Sequence, residues 1–268
     1  MTAALRDHYE TLELSSPKPH VLVVTLNRPA AANAFNTQMG RDICEAFEAL
    51  ALDPGEIRVI VVTGAGDNAF CAGGDLKERK GMTDAQWSYQ HRIFERMIRA
   101  IIDCPTPVIG AVNGAAYGGG CELALGLDFL YAAPDAKFAQ TEVGLGIIPG
   151  AGGTQNLPRA IGERRAKELI MSGKPFTGAQ ARDWGMVNEC FAREELLEKT
   201  LGIAQKIADN APIAVRQAKQ AIHRGLQMSL TDGLWFEIES YNRCVPTQDR
   251  HEGVLAFNEK RRPNFKGQ

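Results

Sequence analysis

Two glutamates and three glycine-dense stretches are the residues in this sequence whose types and spacing could do chemistry. Glu122 follows the turn Gly118-Gly119-Gly120-Cys121 directly and sits in an otherwise apolar first helical turn, CELALGL. Glu142 lies between Thr141 and Val143, just ahead of Gly144, Gly146, Gly150, Gly152 and Gly153. Neither setting reads as a solvated face, and a carboxylate is costly to bury unless it is paired or put to use. Taken alone, Glu122 is as well explained as a helix N-terminal acid favoured by the macrodipole. Two such glutamates, each beside a glycine turn, point instead to an acid and a base acting together.

The glycines fall in the segments IRVIVVTGAGDNAFCAGGDLKER, TPVIGAVNGAAYGGGCELALGLDF and FAQTEVGLGIIPGAGGTQNLPRAIG. Any one of them is best read as a tight turn. Runs of glycine cost conformational entropy, however, and two of these runs follow buried-strand patterns. Backbone N–H groups from the first two segments could converge on an oxyanion, with no side chain between them and a ligand. Other readings fail on detail. Gly173-Lys174 is followed by Pro175, so there is no Walker A loop, and the GGG stretch does not give the dinucleotide fingerprint. No G-x-S-x-G occurs, and His8, His20, His91, His223 and His251 lack zinc-site spacing, so each is read as a surface or packing residue. Cys71 and Cys121 have no local base and are read as small packing residues.

These residues must be positioned by a sizeable fold. The chain has 268 residues, 44% hydrophobic and 23% charged, with a net charge of -2. That composition is globular and gives no electrostatic case for nucleic acid or an anionic membrane. Six scattered cysteines without C-x-x-C fit a reducing compartment. The N-terminal MTAALRDHYETLEL lacks the apolar stretch of a leader, and no apolar run is long enough to span a bilayer, so a cytoplasmic location is expected. Val21–Leu26, Ile57–Val62 and Val108–Val112 are nearly continuous β-branched runs suited to strands covered on both faces. Thr37–Leu52 and Ala85–Asp103 carry helical spacing between them, the second opened by a Thr83/Gln86 capping box. The alternation predicts an α/β core over residues 1–192. From about Arg193 the pattern becomes purely helical, with starts at Pro212, Ser229 and Thr247, predicting a helical region over 193–268.

AFCAGGDLKE, then VNGAAYGGGCELALGLD, then FAQTEVGLGIIPGAGGTQNLPRAIG, closely resemble the crotonase family, and within it the enoyl-CoA hydratases. The match runs from LNRPAAANAFN to RRPNFKG. The resemblance implies a spiral of ββα units with a C-terminal helical trimerisation region, as a homo-oligomer of trimers that commonly pair into hexamers. It implies an acyl-CoA substrate, with no cofactor beyond the coenzyme A of that substrate and no metal. It makes the N–H groups of Gly74 and Gly119 the oxyanion hole, Glu122 the residue that activates water, and Glu142 the one that exchanges a proton with the α-carbon. Ala30, Ala32, Ala72, Asp75, Lys77, Phe265 and Lys266 stand at coenzyme-contacting positions, the last two reaching a neighbouring subunit. The chain departs from the family at Ala30, where hydratases often carry Lys, at Ala32 in place of Leu, and at Phe35, which is bulkier than usual. Trp87, Tyr89 and the helix carrying Trp235 are expected to shape the acyl pocket. A double-bond isomerase of the same fold usually needs only one glutamate, whereas a dehydratase for a specialised acyl-CoA, the other alternative within the family, would use both. A nucleic-acid-binding relative would need a basic face that only RRPNFK could supply.

Overall fold

The computed structural model describes residues 5–268; residues 1–4, the start of the stretch read above for a leader, lie outside them. The strands are β1 (Leu12–Lys18), β2 (Val21–Leu26), β3 (Val59–Gly64), β4 (Ala69–Cys71), β5 (Val108–Val112), β6 (Ala115–Tyr117), β7 (Phe129–Ala132), β8 (Lys137–Ala139), β9 (Phe176–Thr177) and β10 (Glu189–Cys190). The helices are α1 (Thr37–Leu52), α2 (Leu76–Arg79), α3 (Asp84–Ile102), α4 (Gly119–Leu125), α5 (Gly153–Ile161), α6 (Glu163–Ser172), α7 (Gly178–Asp183), α8 (Arg193–Ala208), α9 (Pro212–Gly225), α10 (Leu230–Cys244) and α11 (Gln248–Asn258).

A large sheet runs in the order β1-β2-β3-β5-β7-β10 and a small one in the order β4-β6-β8-β9. The chain alternates between them. β3 enters the large sheet, β4 the small one, and α2 and α3 follow; β5, β6 and α4 repeat the step, and β7, β8 and α5 repeat it again. This is the expected spiral of ββα units. β3 and β5 are buried at every residue, which is why their sequences are continuously apolar rather than alternating. α8 covers the large sheet against β2, β3, β5 and β7, burying Leu196, Leu201, Ala204 and Ala208. Full burial of each leucine contributes about 1.5–3 kcal/mol. The helix at which the sequence turns purely helical therefore packs on the core.

The long helices start where their caps say they should. Asn36 accepts from the Met39 amide, Thr83 and Gln86 form the reciprocal capping box, and Ser229 and Thr247 cap α10 and α11. Each such cap is worth about 1 kcal/mol. Pro212 occupies the first turn of α9, where its missing N–H costs nothing. α9 and α10 pack against each other. α9 buries no residue and α10 buries only Ser240. Among the described residues no helix is long and apolar enough to cross a membrane.

The topology fixes the site. β4, β6 and β8 lie side by side and parallel, so the residues just beyond their C-terminal ends are neighbours in space. Those residues are Gly73-Gly74, Gly118-Gly119 and Thr141-Glu142.

Candidate active site

Two of these turns touch through glycine. Gly73 has φ +88°, and a methyl group there would lie 2.6 Å from the Tyr117 carbonyl oxygen and 3.1 Å from the Gly119 nitrogen. Any side chain would force the loops apart, besides straining a left-handed backbone. Beyond the contact, Phe35 donates its N–H to the Gly73 carbonyl at 2.8 Å and accepts from the Asp75 N–H at 3.0 Å. That parallel bridge uses the amides on either side of Gly74 and turns the Gly74 N–H the other way. Gly119 is the first residue of α4, where helix geometry leaves N–H groups without intrahelical acceptors. Among the described residues neither the Gly74 nor the Gly119 N–H donates to a protein acceptor. Both residues line one cavity of about 830 Å³. A side chain on Gly119 would overlap the Phe35 ring, and one on Gly120 the Cys71 carbonyl, so the turn is packed to glycine dimensions.

Both glutamates face the same cavity, yet their surroundings differ. Glu122 is 3% exposed, and its Oε1 accepts from the Ala151 N–H at 2.7 Å and the Gly153 N–H at 2.8 Å. Burial pushes its pKa up, while those two amides and nearby His91 pull it back. Hydrogen bonds to the carboxylate favour its charged form. Glu142 is 8% exposed, and its Oε2 has no hydrogen-bond partner. Burial, reinforced by repulsion from Glu122, raises its pKa to about 7. One carboxyl group is therefore oriented and supported as an anion, and the other is poised to hold a proton near neutrality.

Ala72 lines the cavity, and its N–H donates to the Ala32 carbonyl at 3.0 Å, joining the two expected coenzyme-contacting stretches. Ala30 is exposed in a short 3-10 turn ahead of Ala32, and Lys77 is exposed on α2. The Asp75 carboxylate is engaged by Arg28 at 2.9 Å and by the Lys77 and Glu78 amides, so its work within the chain is to tie the Arg28–Ala34 loop to the oxyanion loop. Phe265 and Lys266 are not brought to the cavity of their own chain. The Phe265 carbonyl accepts from Arg58 at 2.7 Å, and the Lys266 N–H donates to Asp249 at 2.7 Å.

Trp87 lines the cavity, but Tyr89 and Trp235 do not; they are 55% and 69% exposed. Tyr89 stands two residues past Trp87, on another face of α3. Trp235 lies on α10, which packs on α9 rather than on the spiral. His91, read from sequence as a surface or packing residue, lines the cavity, its ring against Gly150. Positions 87, 91 and 94 share one helix face, a spacing that could have revealed it. Arg79 and the wall formed by Leu145, Ile147 and Ile148 were also not anticipated. Among the described residues no group of three His, Cys, Asp or Glu could hold a metal ion.

The family model for enoyl-CoA hydratase/isomerase matches residues 17–268. The chain is 40% identical over 242 residues to the short-chain-enoyl-CoA hydratase of Clostridium acetobutylicum, covering 90% of this chain and 92% of that protein. It is 39% identical over 257 residues to the crotonyl-CoA hydratase of Syntrophomonas wolfei, covering 96% and 98%. Among solved structures, an enoyl-CoA hydratase from Bacillus anthracis superposes with a TM-score of 0.94 at 43% identity, covering 97% of this chain and 100% of that one.

Proposed function

The chain belongs to the enoyl-CoA hydratase/isomerase family, and we propose that it works there as a hydratase, adding water across the 2,3 double bond of a 2-enoyl-CoA. The observation that carries this reading is the pair of unlike buried carboxyl groups facing the cavity onto which the two glycine amides open.

The thioester oxygen accepts hydrogen bonds from the Gly74 and Gly119 N–H groups. Gly119 adds the positive end of a helix dipole. Glu122, supported as an anion by the Ala151 and Gly153 amides, takes a proton from water as its oxygen bonds to C3. The electron pair of the double bond moves to C2 and on to the thioester oxygen, where the two amides stabilise the charge. Glu142 then gives its proton to C2, completing a 3-hydroxyacyl-CoA. Glu142 is suited to this step because burial keeps it protonated up to about pH 7. The chemistry needs no cofactor beyond the coenzyme A of the substrate. The names of the Clostridium and Syntrophomonas relatives support the same reaction and a short acyl chain. Isomerisation moves a proton between carbons and leaves the water-activating carboxylate without a task, so the second glutamate favours hydration.

Coenzyme A lies along Ala72 and the Ala30–Ala32 loop, with Lys77 at its edge. Ala30 offers no charge, so more of the electrostatic contact falls to Lys77 and to Lys266 of a neighbouring subunit, in trimers that pair into a hexamer. The test is direct. Pure protein mixed with crotonyl-CoA should consume the enoyl-thioester absorbance and yield the 3-hydroxybutyryl thioester. No hydration under conditions where the protein is folded would refute the reading.

A further inference from the structure

We propose that Arg79 reads a carboxylate at the far end of the acyl chain, so that the substrates include short 2-enoyl-CoA thioesters of dicarboxylic acids. The proposal rests on the hydratase reading of the same cavity and names its substrate class.

Arg79 is the last residue of α2 and turns its side chain into the cavity wall. Its guanidinium is held in one orientation. Its Cζ lies 4.1 Å from the Trp87 ring centroid and 5.3 Å from that of Phe94. Nε donates to Gln90 Oε1 at 2.7 Å. Gln90 is fixed in turn, since its Nε2 donates to Thr37 Oγ1 at 2.9 Å and Glu78 Oε2 at 2.7 Å. Stacking on aromatic rings satisfies the faces of a guanidinium but not its edge donors. Among the described residues, neither Nη1 nor Nη2 of Arg79 donates to a protein acceptor. The adjacent carboxylate, Glu78, spends its Oε2 on Gln90 and on the Thr37 amide at 2.9 Å and does not pair with Arg79. An oriented, half-buried cation with its fork unused matches the planar geometry of a carboxylate.

Position sets the length of the chain that is read. A methyl group on Gly74 would lie 3.5 Å from the Arg79 Cζ, so the guanidinium stands against the backbone that donates to the thioester oxygen. Four carbon–carbon bonds of about 1.5 Å separate the thioester carbon from the terminal carboxyl of a glutaconyl group. A residue that reads this carboxyl must stand close to the oxyanion hole, as Arg79 does. Arg92, on α3, adds a second guanidinium to the lining. Neither Glu95 nor Glu122, which face the cavity, is hydrogen-bonded to these guanidinium groups: Glu95 lies 3.4 Å from the His91 ring, and Glu122 accepts from two backbone amides. Glu142 is largely protonated below about pH 7.

The experiment compares kcat/KM for glutaconyl-CoA and crotonyl-CoA, which differ by the terminal carboxylate, in the native protein and in Arg79→Met and Arg79→Lys. The native protein should hydrate glutaconyl-CoA at least as efficiently as crotonyl-CoA. Arg79→Met should lower the glutaconyl-to-crotonyl ratio about 10- to 100-fold, the effect of losing a charged hydrogen-bonded contact. Arg79→Lys, which keeps the charge without the fork, should recover part of the ratio. Binding of the saturated pair, glutaryl-CoA against butyryl-CoA, reads the same contact without turnover and should show the same order. Hydration of crotonyl-CoA with none of glutaconyl-CoA would overturn the proposal and leave the hydratase reading standing. An unchanged ratio in folded Arg79→Met, with both rates lowered equally, would place Arg79 at the thioester instead. Failure to hydrate either substrate would refute the hydratase reading, while the binding comparison would still decide the role of Arg79.

Discussion

The spiral and the helices beyond Pro212 treat apolar side chains in opposite ways. In the spiral, β3 and β5 have no exposed residue, and even α8 buries its leucines at 196 and 201. On α10 the large apolar residues Leu230, Leu234, Trp235 and Ile238 face outward, as do Ile222 on α9 and Leu226 just past its end. Phe257 on α11 is 83% exposed. So many large apolar side chains left exposed are what an interface would need rather than a finished exterior. The contrast separates two tasks. The groups proposed for the chemistry come together within one chain, because adjacent parallel strands β4, β6 and β8 deliver them. Phe265 and Lys266 do not reach their own cavity, so under the proposed function a neighbouring subunit would complete the coenzyme site across the surface that is left open.

The contrast can be broken first in the spiral, where the largest effects are expected. Gly119→Pro removes the oxyanion N–H but also presses a ring on Phe35, so Gly119→Ala, which meets the same ring and keeps the N–H, is its control. Turnover of crotonyl-CoA should fall by about 10²–10³-fold or more in the folded variant. Near-native turnover would move the oxyanion hole elsewhere. Glu122→Gln and Glu142→Gln should each lower kcat by at least about 10²-fold, the low end of a general acid–base contribution.

The pH dependence sharpens the assignment of Glu142. The acid must be protonated, so kcat/KM should decline as pH rises through about 7, while the anion needed at Glu122 sets a separate fall on the acid side. Stability follows Glu142 as well. Its pKa is raised in the folded state, so the stability linked to it is fully present below the ordinary glutamate range and is lost as pH rises through about 7. Glu142→Gln should therefore gain stability relative to the native protein at pH 8 over pH 4, by no more than about 3 kcal/mol, seen as a larger rise in Tm at pH 8. An equal Tm difference at both pH values would show that the carboxyl group is not desolvated.

The helical end should give the smaller, graded effects. Truncation after Pro246 should lower the mass seen by light scattering and weaken coenzyme binding in the same variant. Lys266→Ala is the mild version, raising KM up to about fivefold with kcat little changed, since an exposed charge contact is worth 0.2–1 kcal/mol. A fully active monomer would break the division of labour.

Long apolar runs and capped helices were legible before any coordinates. Val21–Leu26, Thr37–Leu52 and Val108–Val112 stand where periodicity puts them, and Thr83, Pro212, Ser229 and Thr247 open helices as read. The small sheet was not legible. β4, β6 and β8 have three residues each, too short for any period, and they are embedded in the glycine segments that drew attention for other reasons. Sequence could therefore flag Gly74, Gly119, Glu122 and Glu142 without showing why they meet. The polar lining was missed for a related cause. Arg79 and His91 are ordinary surface residue types, and only the convergence of α2 and α3 on the cavity gives them a task.

The unlike roles of the two glutamates can be read in one measurement, exchange of the α-protons of butyryl-CoA in deuterated water, followed by mass spectrometry. This saturated thioester has no double bond to hydrate, so exchange needs only the oxyanion hole and the group that serves the α-carbon. The native protein and Glu122→Gln should both exchange the proton, while Glu142→Gln should lose exchange by at least about 10²-fold. Undiminished exchange in Glu142→Gln, or its loss in Glu122→Gln alone, would contradict the assignment of the acid and the base.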